Sequence, residues 1–406
     1  MDEGLFSVGG VLMPRPFKVR RLGHFGINVP DVDAALDFYR RLLGYKISDP
    51  IDFSSRLPPQ ERDRHGSTVG YFLRHGTEHH SFVIFPSRFL HATNPHYQHH
   101  PELTTNQFTW QVGSLKEVVD GLQWFEAHDK KIVRSGRDVP GSNWHFYAPD
   151  PDGHVNELFY GIEQIGWSGH AKPSQVHRLR HEKPPQLPFR SEQAEVDAAL
   201  ADSLPLDAGQ RGVDAAAEVH DVDGILLGRP FKVIRIGPIR IFVQDMERSL
   251  RFYRDDLGLA VTEEIDYLGH RCVFLRANTE HHSLALYPLA LRSELGLAAG
   301  STLMSFGMQL GSYAQLRNAM AFLRGQGVEV FTLPPALFPG MDYCAFARDP
   351  AGNAIQLYYR MDQIGWDGRP QPRGAAGPMP DIADWPEAVP ATSDVYQGET
   401  FLGPMN

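Results

Sequence analysis

The chain repeats itself. GGVLMPRPFKVRRLGHFGINV at 9–29 aligns with DGILLGRPFKVIRIGPIRIFV at 223–243. AALDFYRRLLGY (34–45) aligns with RSLRFYRDDLGLA (248–260), TEHHSFVIFP (77–86) with TEHHSLALYP (279–288), and GIEQIGW (161–167) with RMDQIGW (360–366). One folding unit therefore occurs twice, and whatever architecture suits the first copy must also suit the second. The halves span 5–167 and 219–366. The segment 168–218 between them is rich in Pro, Ala and charge and reads as a linker, with a short helix over SEQAEVDAALADSL. The tail, 367–406, carries too much Pro and Gly for regular structure.

Each half is doubled again. In RRLGHFGINV, His24, Gly26 and Asn28 alternate with Phe25, Ile27 and Val29, the period of a strand with one face buried. In VPDVDAALDFYRRLLGY, Asp31 is placed to cap a helix, Ala35, Phe38, Tyr39 and Leu42 fall at helical spacing, and Gly44 ends it. STVGYFLR and HHSFVIFP read as strands. NQFTWQV then begins a second unit, followed by a helix over SLKEVVDGLQWFEAHD and strands at KKIVRS, NWHFYAPD and VNELFYGI. The expected class is α+β, with four strand–helix–three-strand units.

Composition narrows the function. The net charge of −10 argues against a nucleic-acid or anionic-membrane surface. Two cysteines, Cys272 and Cys344, are too few for a disulfide framework or a thiolate metal site. No apolar run approaches the roughly 18 residues of a membrane span. The N-terminus MDEGLFSVGG does not read as a secretory signal, so a cytoplasmic location is expected.

The layout, the LGY after the helix and the closing DPDGHxxE strand resemble the vicinal oxygen chelate superfamily. That superfamily includes glyoxalase I, type I extradiol ring-cleaving dioxygenases, fosfomycin resistance enzymes and bleomycin-binding proteins. GRDVPGSNWHFYAPDPDGHVNEL (136–158) is similar to the last active-site segment of the extradiol enzymes, GRHGxSNxxxLYxxDPDGHxxE. The resemblance covers both halves, but not the linker or the tail. It implies an α+β fold whose four units pair into two cupped sheets, with a divalent metal inside a cup, Fe(II) first, and Mn(II), Zn(II) and Ni(II) also suited to nitrogen and oxygen donors.

By that resemblance the opening strand supplies His24 and the closing strand Glu157. A carboxylate carried into an apolar strand needs a partner, and a cation is one. His80 matches the fourth-strand position, with His79 a weaker candidate, and Gln107 stands at the fifth-strand position, where extradiol enzymes have His. His80 is then either a third ligand or the acid–base group, and Gln107 either a weak ligand or a core hydrogen-bonding residue. Tyr147 matches a substrate-side tyrosine. Asp138 stands where the family has the histidine of GRH. Trp110, Trp144, Phe146 and Phe108 suggest an apolar, aromatic substrate. Ordinary roles compete with these: His24 as a satisfied core histidine, Glu157 paired to Arg137, and the HH pair as structure.

The second half has Pro238, Ser305 and Gln356 where the first has His24, Gln107 and Glu157. Proline cannot ligate and glutamine lacks the charge, so this half is expected to keep the cup and lose the metal. In two-domain extradiol enzymes the active domain is the C-terminal one; here the order is reversed. The leading expectation is an enzyme that opens a catechol-like ring with dioxygen. A glyoxalase-like isomerase, epimerase or lyase, and a binding protein without turnover, are the alternatives. Assembly as a homo-oligomer is left open. All of this requires His24 and Glu157 to face one another inside one cup.

Overall fold

The computed structural model describes residues 4–64, 66–137, 140–141, 143–173, 176, 183, 185–187, 191–297, 300–365, 367–370 and 382–389. A hairpin, β1 (Phe6–Val8) and β2 (Val11–Met13), precedes the first sheet. That sheet contains β3 (Arg21–Val29), β4 (Lys46–Asp52), β5 (Val69–Arg74), β6 (Phe82–Pro86), β7 (Thr105–Gln111), β8 (Arg134–Arg137), β9 (Trp144–Pro149) and β10 (Val155–Tyr160). Its spatial order is β4-β5-β6-β3-β7-β10-β9-β8.

A second hairpin, β11 (His220–Val222) and β12 (Ile225–Leu227), leads into the second half. Its strands are β13 (Val233–Val243), β14 (Ala260–Tyr267), β15 (His270–Arg276), β16 (Leu284–Pro288), β17 (Leu303–Leu310), β18 (Val330–Phe331), β19 (Cys344–Arg348) and β20 (Ala354–Tyr358). They take the same order, β14-β15-β16-β13-β17-β20-β19-β18. Two α+β units with mixed, curled sheets are thus the architecture that the repeat required.

Within a sheet, each unit pairs its first and last strands in parallel, β3 with β6 and β7 with β10. The units join through antiparallel β3 and β7. One face of the sheet carries the helices. Asp31 accepts from the Ala34 amide and starts the helix Val32–Leu36, which continues as a π-helical turn over Asp37–Leu42. Gly44, at φ +86°, makes the left-handed exit that a side chain would resist. Ser114 caps the second helix, Leu115–Ala127, by accepting from the Glu117 amide. Phe25, Ile27, Phe108, Trp110 and Phe146 are buried with these helices. The other face forms the cup.

Two sequence expectations change. KKIVRS enters the sheet only from Arg134. HHSFVIFP joins it only from Phe82, so His79 and His80 stand on the approach to β6 rather than in the strand. The reason is local: the His79 amide donates to the Glu163 carbonyl, and Glu78 bridges Gln164, so this stretch pairs with the chain beyond β10. Elsewhere, the linker forms the helix Ser191–Ala201. In the tail, Trp385 is buried against Tyr313 and Tyr343.

The halves hold each other by a reciprocal contact. Tyr39, on the first helix of half one, donates to Asp349 Oδ2 at 2.7 Å. Tyr253, its repeat mate, donates to Asp150 Oδ2 at 2.8 Å. Each aspartate also accepts the two backbone amides that fold its DPxG turn, those of Asp152 and His154 or of Ala351 and Asn353. The turn leading into each closing strand is therefore braced by a tyrosine from the other half. Tyr39→Phe and Tyr253→Phe should each cost roughly 1–3 kcal/mol, the usual worth of a hydrogen bond to a buried charged group that keeps its other donor, Asn353 or His154. Because the two contacts share no atom, the double variant should lose about the sum, measured by denaturant unfolding.

Candidate metal centre and substrate cup

The site begins with an irregularity in β3. The β3–β7 register shifts between Leu22 and Phe25, a bulge with His24 inside it. Ladder bonds lost there are replaced by one side chain: Thr109 Oγ1 accepts from the His24 amide at 2.7 Å and donates to the His24 carbonyl at 2.6 Å. Bulges re-aim side chains, and this one turns His24 into the cup. Gly23 is needed beside it, since a Cβ there would stand 2.3 Å from the Phe159 ring, which packs against His24.

Glu157, on β10, is fully buried. Its Oε2 lies 3.4 Å from His24 Nε2. Gln107 Nε2 donates to the same oxygen at 3.2 Å, Asn143 Nδ2 donates to Oε1, and His145 Nδ1 lies 3.6 Å from Oε1. Burial alone would raise the Glu157 carboxyl; His24 chiefly, with His145 and Arg134, reverses this and holds it below its ordinary value. His24 Nδ1 is buried without a hydrogen bond, and Nε2 has only the Glu157 carboxylate, 3.4 Å away. Buried polar atoms normally find a partner, so this imidazole has an unfilled bonding capacity beside a carboxylate.

That observation fits a divalent cation. Two donors about 2.1 Å from a common ion, at a tetrahedral angle, are separated by about 3.4 Å, and the His24–Glu157 spacing is 3.4 Å. Among the described residues no three His, Cys, Asp or Glu side chains form a group able to hold a metal. Gln107 adjoins the pair. His80 is beside it, with ring centroids of His24 and His80 4.3 Å apart.

A hydrogen-bonded row fixes His80. Asp49 Oδ2 lies 2.8 Å from His79 Nε2, and His79 Nδ1 lies 3.0 Å from His80 Nδ1. A carboxylate only accepts, so His79 donates from Nε2. Its Nδ1, in the neutral ring, then accepts from His80, which leaves the lone pair of His80 on Nε2. Burial first, then His24 and His79, keep the His80 pKa well below the ordinary value, so the ring is neutral at physiological pH. The second half repeats the row as Glu263, His281 and His282, and there His282 Nε2 faces Arg240 Nη2 at 3.0 Å.

Above these groups lies a cavity of about 310 Å³. Its wall includes Phe53, Phe72, Phe85 and Tyr97, with Tyr147, Arg56 and Arg134. Tyr147 pairs directly with Glu157 across β9 and β10. His24, His80, Gln107 and Tyr147 therefore come together as anticipated. The aromatic residues proposed from sequence to line the cup do not. Trp110 and Phe146 belong to the helix-side core, where Trp110 Nε1 donates to Asn156 at 2.8 Å and Phe146 packs on Phe125. Trp144 has the same strand parity as Phe146 and is absent from the cavity wall. Asp138 lies outside the described residues. Asn143 and His145 were missed, although the alternation of WHFY, once Tyr147 faces the cup, places His145 beside it.

Residues 21–158 and 235–357 match the family described as Glyoxalase/Bleomycin resistance protein/Dioxygenase superfamily. The chain belongs to that superfamily. Its curated relatives include a 3-methylcatechol 2,3-dioxygenase of Pseudomonas putida, 29% identical over 144 residues, 36% of this chain and 43% of the relative. A biphenyl-2,3-diol 1,2-dioxygenase of Paraburkholderia xenovorans is 31% identical over 166 residues, 40% of this chain and 46% of the relative. The chain thus spans under half the length of these relatives. Among solved structures, the Mn(II)-bound glyoxalase from Novosphingobium aromaticivorans superposes with a TM-score of 0.53 at 14% identity, covering 86% of this chain and 85% of that one, a likeness of fold.

The depressed Glu157 carboxyl has a consequence in the metal-free protein. A group whose folded pKa is lowered stabilises the fold above its unfolded pKa and loses that contribution as pH falls. Glu157 should therefore add an acid-side loss of stability that begins near its ordinary value of 4.5. Glu157→Gln should flatten the curve of unfolding free energy against pH below that point, measured by urea titration at a series of pH values.

Proposed function

We propose that the first half is a metal-dependent extradiol-type dioxygenase acting on a catechol-like aromatic diol. The observation that carries the reading is the buried His24–Glu157 pair, with His24 Nε2 3.4 Å from Glu157 Oε2 and Nδ1 unpartnered, beneath an aromatic-walled cup that His24 lines. The catechol and biphenyldiol dioxygenases among the relatives support the same direction. His24 and Glu157 are the proposed ligands, with Fe(II) the preferred ion and Mn(II) the nearest alternative. A bound divalent ion would acidify a diol hydroxyl and bring two oxygens of the substrate together on one centre.

The chain's own groups supply the rest. The rings of Phe72, Phe85 and Tyr97 make a wall suited to a flat aromatic substrate and displace water from it. His80 is assigned as acid and base. Its Nδ1 is committed to His79, so Nε2 is the nitrogen that takes the hydroxyl proton and later returns it. Tyr147, across from Glu157, contributes a hydroxyl that can donate to a substrate oxygen. Gln107 and Asn143 hold the two oxygens of Glu157 and fix its orientation.

An isomerase or lyase is the second reading, favoured by Gln107 in the place of the extradiol histidine. The two differ in oxygen consumption. Purified protein loaded anaerobically with Fe(II), mixed with a catechol and then exposed to air should take up oxygen and form a yellow ring-opened product. Metal retained with no oxygen uptake would instead favour the isomerase, and failure to take up metal at His24 and Glu157 would leave only binding. His80→Gln should lower kcat about 10²- to 10⁴-fold, the usual worth of a general acid–base, with metal content unchanged. Loss of the metal in that variant would instead make His80 a ligand.

A further inference from the structure

The second cup contains a buried cation with no carboxylate paired to it among the described residues. Arg240 occupies the repeat position of Gly26 and is fully buried. A guanidinium stays protonated in a protein, so its charge has to be met by other groups. Around it are His282, whose Nε2 accepts from Nη2 at 3.0 Å, the Met341 sulfur at 3.7 Å and the Phe338 ring at 5.0 Å. Tyr287, whose hydroxyl oxygen also offers the guanidinium an acceptor, Cys344 and Tyr358 are the ionisable groups that act on it most, and none is a carboxylate. Burial pushes the Cys344 thiol up to about 11 and the Tyr287 phenol far above its ordinary range, so both are neutral at pH 7. Glu263 is engaged with His281, on the far side of the histidine row.

Three donors near this charge are unused. Arg240 Nε and Nη1 make no hydrogen bond, nor does the Ser305 hydroxyl. Ser305 is the direct cross-strand partner of Arg240 between β13 and β17, so the two side chains leave the sheet on one face. In the first half the equivalent face holds a carboxylate; here Gln356 takes that place and donates its amide to the Cys344 sulfur at 3.1 Å. Leaving a buried charge unpaired is strongly unfavourable, so a cation kept in such surroundings calls for a counter-ion.

We propose that the second cup encloses a small monovalent inorganic anion of the halide class, held by Arg240 Nε and Nη1 and the Ser305 hydroxyl. A spherical acceptor suits three unused donors. Phe242, Phe274, Phe338 and Phe346 are buried together in one apolar cluster, surroundings that favour a small anion over a larger organic acid. The second half is thereby a structural anion site where the first is a cation site.

The test uses the full-length protein at constant ionic strength, with sodium gluconate exchanged stepwise for sodium bromide. The thermal midpoint should rise with bromide and saturate. Arg240→Met should abolish that dependence, and Ser305→Ala, a gentler change should the first variant not fold, should shift saturation to higher bromide. In bromide-soaked crystals an anomalous peak should lie in contact with Arg240 Nε and Nη1. A midpoint indifferent to bromide, a dependence that survives removal of Arg240, or a map with water alone beside the guanidinium would overturn the proposal. None of these readouts depends on the chemistry of the first cup.

Discussion

A curled sheet with helices on one side has a second face that must be either filled or used. In this chain the two copies of one sheet take opposite courses. The second copy fills its concave face with Phe242, Phe274, Tyr287, Phe338 and Phe346 and with the arginine at the Gly26 position. The first has glycine and asparagine at 26 and 28, the positions of Arg240 and Phe242, and retains a cavity of about 310 Å³. Protein interiors pack at crystal-like density, so a void of that size persists only where polar groups and solvent or ligand occupy it. The difference between the two faces is thus first one of side-chain volume and only then one of charged groups.

Charge follows the same division. Both halves retain an acid–histidine–histidine row, Asp49 to His80 and Glu263 to His282. In the second half the second ring nitrogen of the last histidine accepts from a covalently attached cation, Arg240. In the first it lines an open cup with the His24–Glu157 pair alongside. The row alone is therefore a structural device for orienting an imidazole. What it does in each half depends on what the second imidazole nitrogen meets.

The repeat made the fold legible, because a sequence present twice and doubled within itself leaves few ways to pair its strands. The helix start at Asp31 and the stop at Gly44 followed from capping arguments, and the facing of His24 toward Glu157 followed from the resemblance to the vicinal oxygen chelate superfamily. The aromatic cup wall did not. Trp110, Trp144 and Phe146 were chosen for composition, although Tyr147 had already fixed the parity of its strand, and adjacent residues of one strand cannot share a face. The true wall, Phe72, Phe85 and Tyr97, comes from the outer strands and the short helices after β6, segments with no motif to mark them. The bulge at His24 was also invisible, since it depends on Thr109, 85 residues away in sequence.

The half without the metal pair is not dispensable on this account. Asp150 begins the turn that delivers β10, and with it Glu157, to the cup floor. That aspartate is held by His154 and by Tyr253 of the other half. His154 in turn reaches Thr302 of the other half at 2.9 Å. Burial drives the Asp150 carboxyl up, and His154 more than compensates, so the group ends below its ordinary value and remains a charged acceptor for the turn. The mirror contact lacks this help: Asp349 has the neutral Asn353 in place of His154, and its carboxyl is raised. The more strongly charged brace is on the side of the candidate metal site. A second half could lose its own ligands without loss to the molecule, provided it kept the tyrosine and threonine that steady the turn before Glu157.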